Sequence, residues 1–306
     1  MGTPEFAVPS LQAIHQHFGV QAVVTVPDTP QGRGMKLTPS AMKIAALELG
    51  LPVLQPESLK SEEFRHEIES LKPDIIVVVA FRILPKSIYS LASLGAFNIH
   101  GSLLPKYRGA APINWAIING ESESGVTSFL LNDKVDTGKI LLKASTPITD
   151  GMTAGELYET LMPLGAELAV KTCDRLLKHT ANPIPQEDEI ATPAPKLIRE
   201  NCVIDWTKPA GEVRNFILGV NPAPIAWTLW IGKRIKIYRA TYSDAHINTG
   251  SWSIKGGQFL VGCGDAALSL TEIQPEGKPR MSVADFLRGY RGEMGGEFMG
   301  WEVDNS

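Results

Sequence analysis

An amide and an imidazole stand two residues apart at the end of an apolar segment, in the stretch FNIHGSLLPKYRGAAP (97–112). Alternate side chains of a strand share a face, so Asn98 and His100 point the same way, opposite to Phe97 and Ile99. Two N–H donors aimed at one point could stabilise the oxyanion formed when a carbonyl carbon becomes tetrahedral, and imidazole can carry a proton near neutral pH. Alternatively, both are strand-end residues whose side chains form hydrogen bonds with the backbone or with water. The pair alone does not decide between these two interpretations.

A carboxylate follows the next predicted strand, in the stretch NDKVDTGKI (132–140). Asp136 lies in a turn after a strand at 125–131, and ligands of open α/β sheets bind at the carboxyl ends of strands. It could accept a proton from an incoming amine, directly or through water, or polarise the imidazole. An ordinary Asx-turn is the alternative, because Asp, Thr and Gly are residue types that turns favour. No two histidines stand at metal-ligand spacing with a carboxylate, so the sequence predicts no metal site.

Two basic segments are candidates for contact with a nucleic acid. The segment PDTPQGRGMKLTP (27–39) carries Arg33 and Lys36 among glycines and prolines and lacks the spacing of a phosphate-binding loop. It is either a surface loop or a basic arm that becomes ordered on a nucleic acid. In the strand GKRIKIYRA, Arg234, Lys236 and Tyr238 share one face. A basic and aromatic face suits sequence-independent contact with nucleic acids, although a solvated outer face has the same pattern.

These residues belong to a first half in which strand and helix patterns alternate. The clearest strand is DIIVVVA, which is β-branched and continuously apolar. Such alternation predicts an α/β fold with a doubly wound, mostly parallel sheet over residues 1–180. The predicted strands are 20–26, 74–80, 96–100 and 125–131, and the predicted helices are 39–49, 61–71, 111–119 and 153–179.

The second half has a different organisation. Residues 181–200 are rich in proline and predict an extended linker. From 201 to 291 the apolar period changes to two, with turn signals between short strands, which predicts a small antiparallel β-barrel. Residues 292–306 are acidic and glycine-rich, and we expect them to be disordered.

The beginning of the chain is unusual for a doubly wound domain. Such a domain normally starts with a strand, whereas MGTPEF is loop-like. We therefore expect that the first strand is missing, or that the start of the chain has been assigned too late. Loss of a central strand would leave backbone groups of its neighbours unpaired, so we expect this chain to be less stable than one extended at its N-terminus.

Composition and charge narrow the class of protein. The 306 residues are 43% hydrophobic and 20% charged, with a net charge of −4. No apolar run is long enough to span a bilayer, and the N-terminus does not resemble a signal peptide. Three widely spaced cysteines form no metal or disulfide pattern and favour the cytoplasm. Basic residues exceed acidic ones only between 196 and 291, which is weak evidence for a polyanionic partner.

The order of several motifs resembles that of a known family. The segments GTPEFAVPSL, PDTPQGRGMKLTPS, PDIIVVVAFRILPK, FNIHGSLLPKYRGAAPINWAIINGE, GVTSFLLNDKVDTGKILL and IDWTKPAGEVRNFILGVNPAPIAWT are similar to those of methionyl-tRNA formyltransferases, within the folate-dependent formyltransferases. The resemblance covers nearly all of the chain except the tail. It implies a Rossmann-like catalytic domain, a C-terminal barrel resembling an OB-fold, and a monomer that uses 10-formyltetrahydrofolate and initiator methionyl-tRNA.

The resemblance also assigns roles to residues. Asn98 and His100 match the oxyanion-stabilising pair, and Asp136 matches the carboxylate that assists proton transfer. The segment that lines the tetrahydrofolate site corresponds to Ser102, Leu103, Leu104 and Pro105. Arg33 lies in the loop that reaches the end of the tRNA acceptor stem, and Lys36, Arg234 and Lys236 are the further candidates for tRNA contact.

The mechanism that follows from these roles is direct transfer of a formyl group to the amine of methionine on the tRNA. No serine or cysteine is placed as a nucleophile, so a covalent enzyme intermediate is not required. Two alternatives stay open. The chain could be another folate-dependent formyltransferase, acting on glycinamide ribonucleotide or an amino sugar, or a tRNA-binding relative without catalytic activity.

Overall fold

The computed structural model describes residues 1–31 and 36–298, without the side chains of Gln31 and Lys36. Arg33 and residues 299–306 lie outside the described residues. The strands are β1 Val23–Val24, β2 Thr29–Gln31, β3 Lys36–Thr38, β4 Val53–Leu54, β5 Ile75–Val79, β6 Gly95–His100, β7 Arg108–Gly109, β8 Glu123–Leu130, β9 Ile140–Pro147, β10 Pro193–Ala194, β11 Ala226–Trp230, β12 Lys233–Ser243, β13 Ser251–Lys255, β14 Gln258–Gly262, β15 Ala267–Pro275, β16 Met281–Ser282 and β17 Gly295–Glu297. The α-helices are α1 Val8–Phe18, α2 Ala41–Glu48, α3 Glu62–Leu71, α4 Lys86–Tyr89, α5 Pro112–Ile118, α6 Ala154–Leu177, α7 Ala210–Gly219 and α8 Val283–Gly289. None of the helices in the described part of the chain has the length and apolar character needed to cross a membrane.

The first compact unit comprises Met1–Pro112, Glu123–Pro147 and Tyr158–Ala194. Its main sheet has the strand order β5-β6-β8-β9, and β1 and β4 form a separate pair. The α/β class predicted from the alternating pattern is confirmed. Parallel pairing joins β1 to β4 and β5 to β6, whereas β8 is antiparallel to both of its neighbours.

Local sequence explains why this unit places β6 in its interior. Strand β6 lies between β5 and β8, so both of its edges are paired, and Phe97 and Ile99 are buried. Helix α3 packs alongside through its buried residues Phe64 and Ile68. The N-cap of α3 is Ser61, whose hydroxyl accepts a hydrogen bond from the backbone N–H of Phe64. These contacts fix β6, and therefore the backbone of Asn98 and His100, between two paired strands in the interior of the unit.

The first two residues of the chain lie between β1 and β5, where the sequence predicted a strand to be missing. The backbone N–H of Gly2 donates to Val24, the N–H of Val79 donates to Met1, and the terminal ammonium donates to Val77 at 2.7 Å. Burial lowers the pKa of this ammonium to about 5. Next to it is an apolar groove of about 610 Å³, lined by residues of α1, β1 and β5 among others. Two residues thus form the hydrogen bonds of a strand in this position.

The second compact unit comprises Ile113–Ser122, Ile148–Leu157 and the chain from Pro195 onward. Its antiparallel sheet has the order β11-β12-β15-β14-β13-β17, with β16 paired to β15. The apolar period of two places Ile235, Ile237, Phe259 and Leu270 in its core. The predicted C-terminal β domain is confirmed. Segments of both units alternate along the chain, whereas the sequence predicted one boundary within residues 181–200.

The prediction of a disordered tail is wrong for its first part. Strand β17 pairs with β13, and Phe298 stacks on Trp206 with 5.1 Å between the ring centroids. The absence of a side chain at Gly296 suits this pairing, because a side-chain carbon there would lie 3.2 Å from the indole of Trp252, a tight contact. Composition suggested disorder, but glycine fits closely against an aromatic ring and Phe298 adds a buried apolar side chain.

Candidate active site

The site begins at the carboxyl end of β6. The side chain of Asn98 is half-buried and has no hydrogen-bond partner among the described residues. His100, the last residue of the strand, is only 6% exposed. Because both residues belong to one strand and are separated by one residue, they share a face. The available amide of Asn98 therefore lies on the same side of the sheet as the imidazole.

The two ring nitrogens of His100 have different surroundings. Nε2 lies 2.8 Å from the backbone oxygen of Tyr107. A carbonyl can only accept, so Nε2 must carry the proton of this hydrogen bond. Nδ1 lies 3.7 Å from Oδ2 of Asp136. In the neutral ring Nδ1 is therefore the basic nitrogen, and a proton taken up there would be next to a carboxylate.

Asp136 reaches His100 by a route that the sequence did not predict. We expected the residue to lie at the same edge of the sheet as His100, because it follows a strand. Strand β8 is antiparallel to β6 and pairs Leu130 with Phe97, so its carboxyl end lies at the amino end of β6. The loop after β8 folds back to bring the carboxylate to the imidazole. Asp136 has a φ of +54°, a left-handed conformation, and its carboxylate accepts a hydrogen bond from the N–H of Gly109 at 2.9 Å.

The predicted folate-lining segment follows directly on His100. Ser102, Leu104 and Pro105 are buried, while Leu103 is half-buried. The Ser102 hydroxyl donates to the backbone oxygen of Lys106. Thr127 of β8, which the sequence did not single out, donates to the backbone oxygen of Ser102 and accepts from the N–H of Leu104. The segment is thus fixed through its backbone.

Two loops beside these residues expose apolar side chains. The loop after β5 contains Ile83, which is 78% exposed, and the loop after β8 contains Val135, which is 54% exposed. A hydrogen bond of 2.6 Å from the hydroxyl of Tyr89 to Asp133 connects the two regions, and it raises the pKa of Tyr89 to about 12. The loop that carries Asp136 therefore also presents an exposed apolar side chain. No group of three or more His, Cys, Asp or Glu residues able to hold a metal ion occurs within 1–31 and 36–298.

The predicted basic contacts lie elsewhere. The guanidinium of Arg234 lies over the ring of Trp227, 4.2 Å from its centroid, and Lys236 is half-buried on the same strand, β12. Tyr238, expected on the same face, is buried and carries the guanidinium of Arg280 over its ring. The backbone of Lys36 is in β3, and Arg33 is outside the described residues.

The structure therefore brings together two of the predicted catalytic residues, His100 and Asp136, with 3.7 Å between Nδ1 and Oδ2, and places Asn98 on the same strand face as His100. It adds contacts that no local pattern indicated, from Tyr107, Gly109, Thr127 and Gln186. Tyr107 and Gly109 act through backbone groups, which leave no side-chain signal. Gln186 lies in the predicted linker, and only its position in the fold shows its contacts.

Comparisons with known proteins identify the family of the chain. The family described as "Formyl transferase" matches residues 2–173, and "Formyl transferase, C-terminal domain" matches residues 196–291. Relatives named methionyl-tRNA formyltransferase include one from Parabacteroides distasonis, 45% identical, with 95% of this chain and 94% of the relative covered. Another, from Chlorobium phaeovibrioides, is 46% identical, with coverage of 96% and 95%.

A solved structure similar in fold is an N-formyltransferase from Helicobacter canadensis in complex with folinic acid and dTDP-3-aminofucose. Its TM-score is 0.67 at 22% identity, with 90% of this chain and 97% of that chain covered. HypX from Aquifex aeolicus, in complex with tetrahydrofolic acid, gives a TM-score of 0.58 at 19% identity, with coverage of 79% and 43%. At these identities the similarity concerns the fold alone.

Proposed function

The chain belongs to the formyl transferase family, and we propose on that basis that it transfers the formyl group of 10-formyltetrahydrofolate to the α-amino group of methionine on initiator tRNA. The relatives that share about 45% of its residues over almost its whole length carry the name of this activity. The single structural observation that carries the chemistry is the imidazole of His100 placed 3.7 Å from the carboxylate of Asp136, beside the available amide of Asn98.

Each of the three side chains has a distinct task in this reaction. The neutral amine of methionine attacks the formyl carbon, and the formyl oxygen becomes an oxyanion. The amide of Asn98 donates a hydrogen bond to that oxygen. Nε2 of His100 is bound to Tyr107, so the nitrogen that can donate to the reaction is Nδ1, once it is protonated. Asp136 faces Nδ1, stabilises the protonated ring and helps to remove the proton of the amine. When the oxyanion collapses to a carbonyl, the bond between the formyl carbon and N10 of the folate breaks. The proton lost by the amine passes to that nitrogen, and tetrahydrofolate leaves.

The carrier of the amine is a tRNA, and the second unit offers a surface for it. Arg234 and Lys236 lie on one strand of that unit, with Trp227 under the guanidinium of Arg234. A cation stacked on an aromatic ring is a contact type used for the sugar–phosphate backbone and for bases. We propose Arg33 and Lys36 as further contacts, Ser102, Leu103, Leu104 and Pro105 as the wall of the folate site, a monomer as the active form, and the cytoplasm as the place of action.

Formyl transfer by purified protein tests the proposal. Methionyl-tRNA, glycinamide ribonucleotide and a nucleotide-linked amino sugar are each offered with 10-formyltetrahydrofolate, and we expect formylation of methionyl-tRNA only. Asn98→Ala and His100→Ala should each lower kcat by about 100-fold or more, the cost of losing one oxyanion donor. His66→Ala, a change at an exposed histidine of α3, is the matched control. Wild-type turnover in both site variants would refute the mechanism, and formylation of another acceptor would refute the substrate.

A further inference from the structure

The loop that carries Asp136 is held by a side chain from a distant part of the sequence. Nε2 of Gln186 donates hydrogen bonds to the backbone oxygens of Asp136 at 2.9 Å and of Gly138 at 2.8 Å. One carboxamide therefore satisfies two carbonyls in the turn that contains the left-handed Asp136. Hydrogen bonds among Asn132, Lys134 and Thr137 shape the first part of this turn. Gln186 supplies donors from outside the turn to the carbonyls of its second part, Asp136 and Gly138.

The carboxamide is itself oriented by an arginine. Nε and Nη2 of Arg108 donate to Oε1 of Gln186 at 3.0 Å and 2.7 Å. A guanidinium that donates twice to one oxygen fixes which end of the carboxamide is the acceptor, so the NH₂ group must point to the loop. The Arg108 side chain is only 17% exposed, which strengthens these contacts relative to those on an open surface.

The residue after Arg108 holds the other side of Asp136. Strand β7 pairs with β10 through the N–H groups of Arg108 and Ala110, which donate to Thr192 and Ala194. The N–H of Gly109 points the other way and donates to the Asp136 carboxylate. Gly109 has a φ of +129°, and a side-chain carbon there would lie 2.5 Å from the oxygen of Ala194, so only glycine fits.

We propose that Gln186, oriented by Arg108, is a positioning residue that holds the Asp136 carboxylate against His100. The inference rests on the proposed function, in which Asp136 acts on the imidazole. Gln186 fixes the backbone of the Asp136 turn, and Gly109 fixes its carboxylate, so the segment predicted to be a linker forms part of the catalytic apparatus. Gln186 does not contact the reacting atoms and acts through Asp136.

The first test requires no substrate. Gln186→Met removes both donors at nearly constant length, and Gln186→Glu keeps the acceptor for Arg108 but also loses both donors. Hydrogen exchange of the Gly109 amide, followed by NMR, should become at least about tenfold faster in both variants. The Leu104 amide, which is bound to Thr127, reports on the rest of the site and should be unchanged. Glu187→Gln, at the exposed neighbouring residue, is the matched control and should change neither amide.

The second test separates positioning from a general loss of structure. We expect Gln186→Met to lower kcat for methionyl-tRNA by about 10- to 100-fold, as for a misplaced catalytic group, with little change in either KM. In an Asp136→Asn background the same change should cost less than about twofold, because Gln186 acts only through Asp136. Equal losses in both backgrounds, or Gly109 exchange like that of the wild type, would overturn the inference. Inactive wild-type protein would refute the proposed function instead, and the exchange experiment would still decide the role of Gln186.

Discussion

Replacing Thr127 with valine is the sharpest test of how the segment proposed to line the folate site is held. Thr127 is fully buried in β8, and its hydroxyl joins two backbone groups of the segment after His100. It donates to the oxygen of Ser102 at 2.6 Å and accepts from the N–H of Leu104 at 3.0 Å. Valine has the same shape and lacks the hydroxyl, so Thr127→Val removes both hydrogen bonds without creating a cavity.

The size of the effect follows from the two groups left behind. A buried donor or acceptor that loses its partner costs about 1–3 kcal/mol, so the free energy of unfolding should fall by about 2–6 kcal/mol. Thr127→Ser is the matched control, because it keeps the hydroxyl and loses one methyl group. Burying one such group contributes about 0.8 kcal/mol, so the control should cost about 1 kcal/mol. The valine variant should therefore be the less stable of the two, although valine is the more apolar residue.

Urea unfolding followed by circular dichroism measures the difference between the two variants. Hydrogen exchange of the Leu104 amide provides a local measure, and it should be faster in Thr127→Val than in Thr127→Ser. We also expect the KM for the folate donor to rise more in the valine variant, since the segment loses its support. A serine variant as unstable as the valine variant, or more so, would show that the hydroxyl does not hold the segment.

Two further predictions follow from the pKa values. Burial raises the pKa of Cys173 and Cys263 to about 12 and that of Cys202 to about 11, so at about pH 8 the native protein should not react with a disulfide reagent that detects thiolates, whereas the urea-unfolded protein should show three thiols. Because the folded-state pKa values lie above the usual 9.0, the unfolded chain loses these protons first, and the stability of the protein should fall as the pH rises above about 9. Rapid labelling of the native protein would contradict the burial of the thiols. For Met1, the folded-state pKa of about 5 lies below the usual 8.0, so the unfolded chain alone gains this proton between these values and stability should fall as the pH falls from 8 to 5. A short extension of valine and isoleucine residues before Met1 should remove this pH-dependent loss of stability, and it should raise Tm by pairing with the strands beside the groove. The same Tm difference between pH 8 and pH 5 in the extended and the original chain would contradict this prediction.

The strand elements of the site were accessible from sequence because their signals are local. The signals are the β-branched run Ile75–Val79 and the alternation in FNIH, and both depend only on neighbouring residues. They therefore predicted β5, β6 and the shared face of Asn98 and His100. Likewise, the change of period after residue 200 predicted the second unit. Local patterns were sufficient wherever the prediction concerned a single strand and which of its side chains are buried.

The contacts between distant segments required the tertiary structure. Whether β8 runs parallel or antiparallel to β6 depends on long-range pairing, and its antiparallel direction means that Asp136 meets His100 only because a loop folds back. Gln186 stood in a proline-rich stretch without periodicity, and its role exists only because that stretch crosses the Asp136 loop. Composition likewise predicted a disordered tail, whereas Phe298 finds a partner in Trp206, 92 positions earlier in the chain. Sequence alone determined the local elements and the residues able to do chemistry; the fold decided which of them meet, because hydrogen bonds between segments far apart in sequence leave no periodic signal.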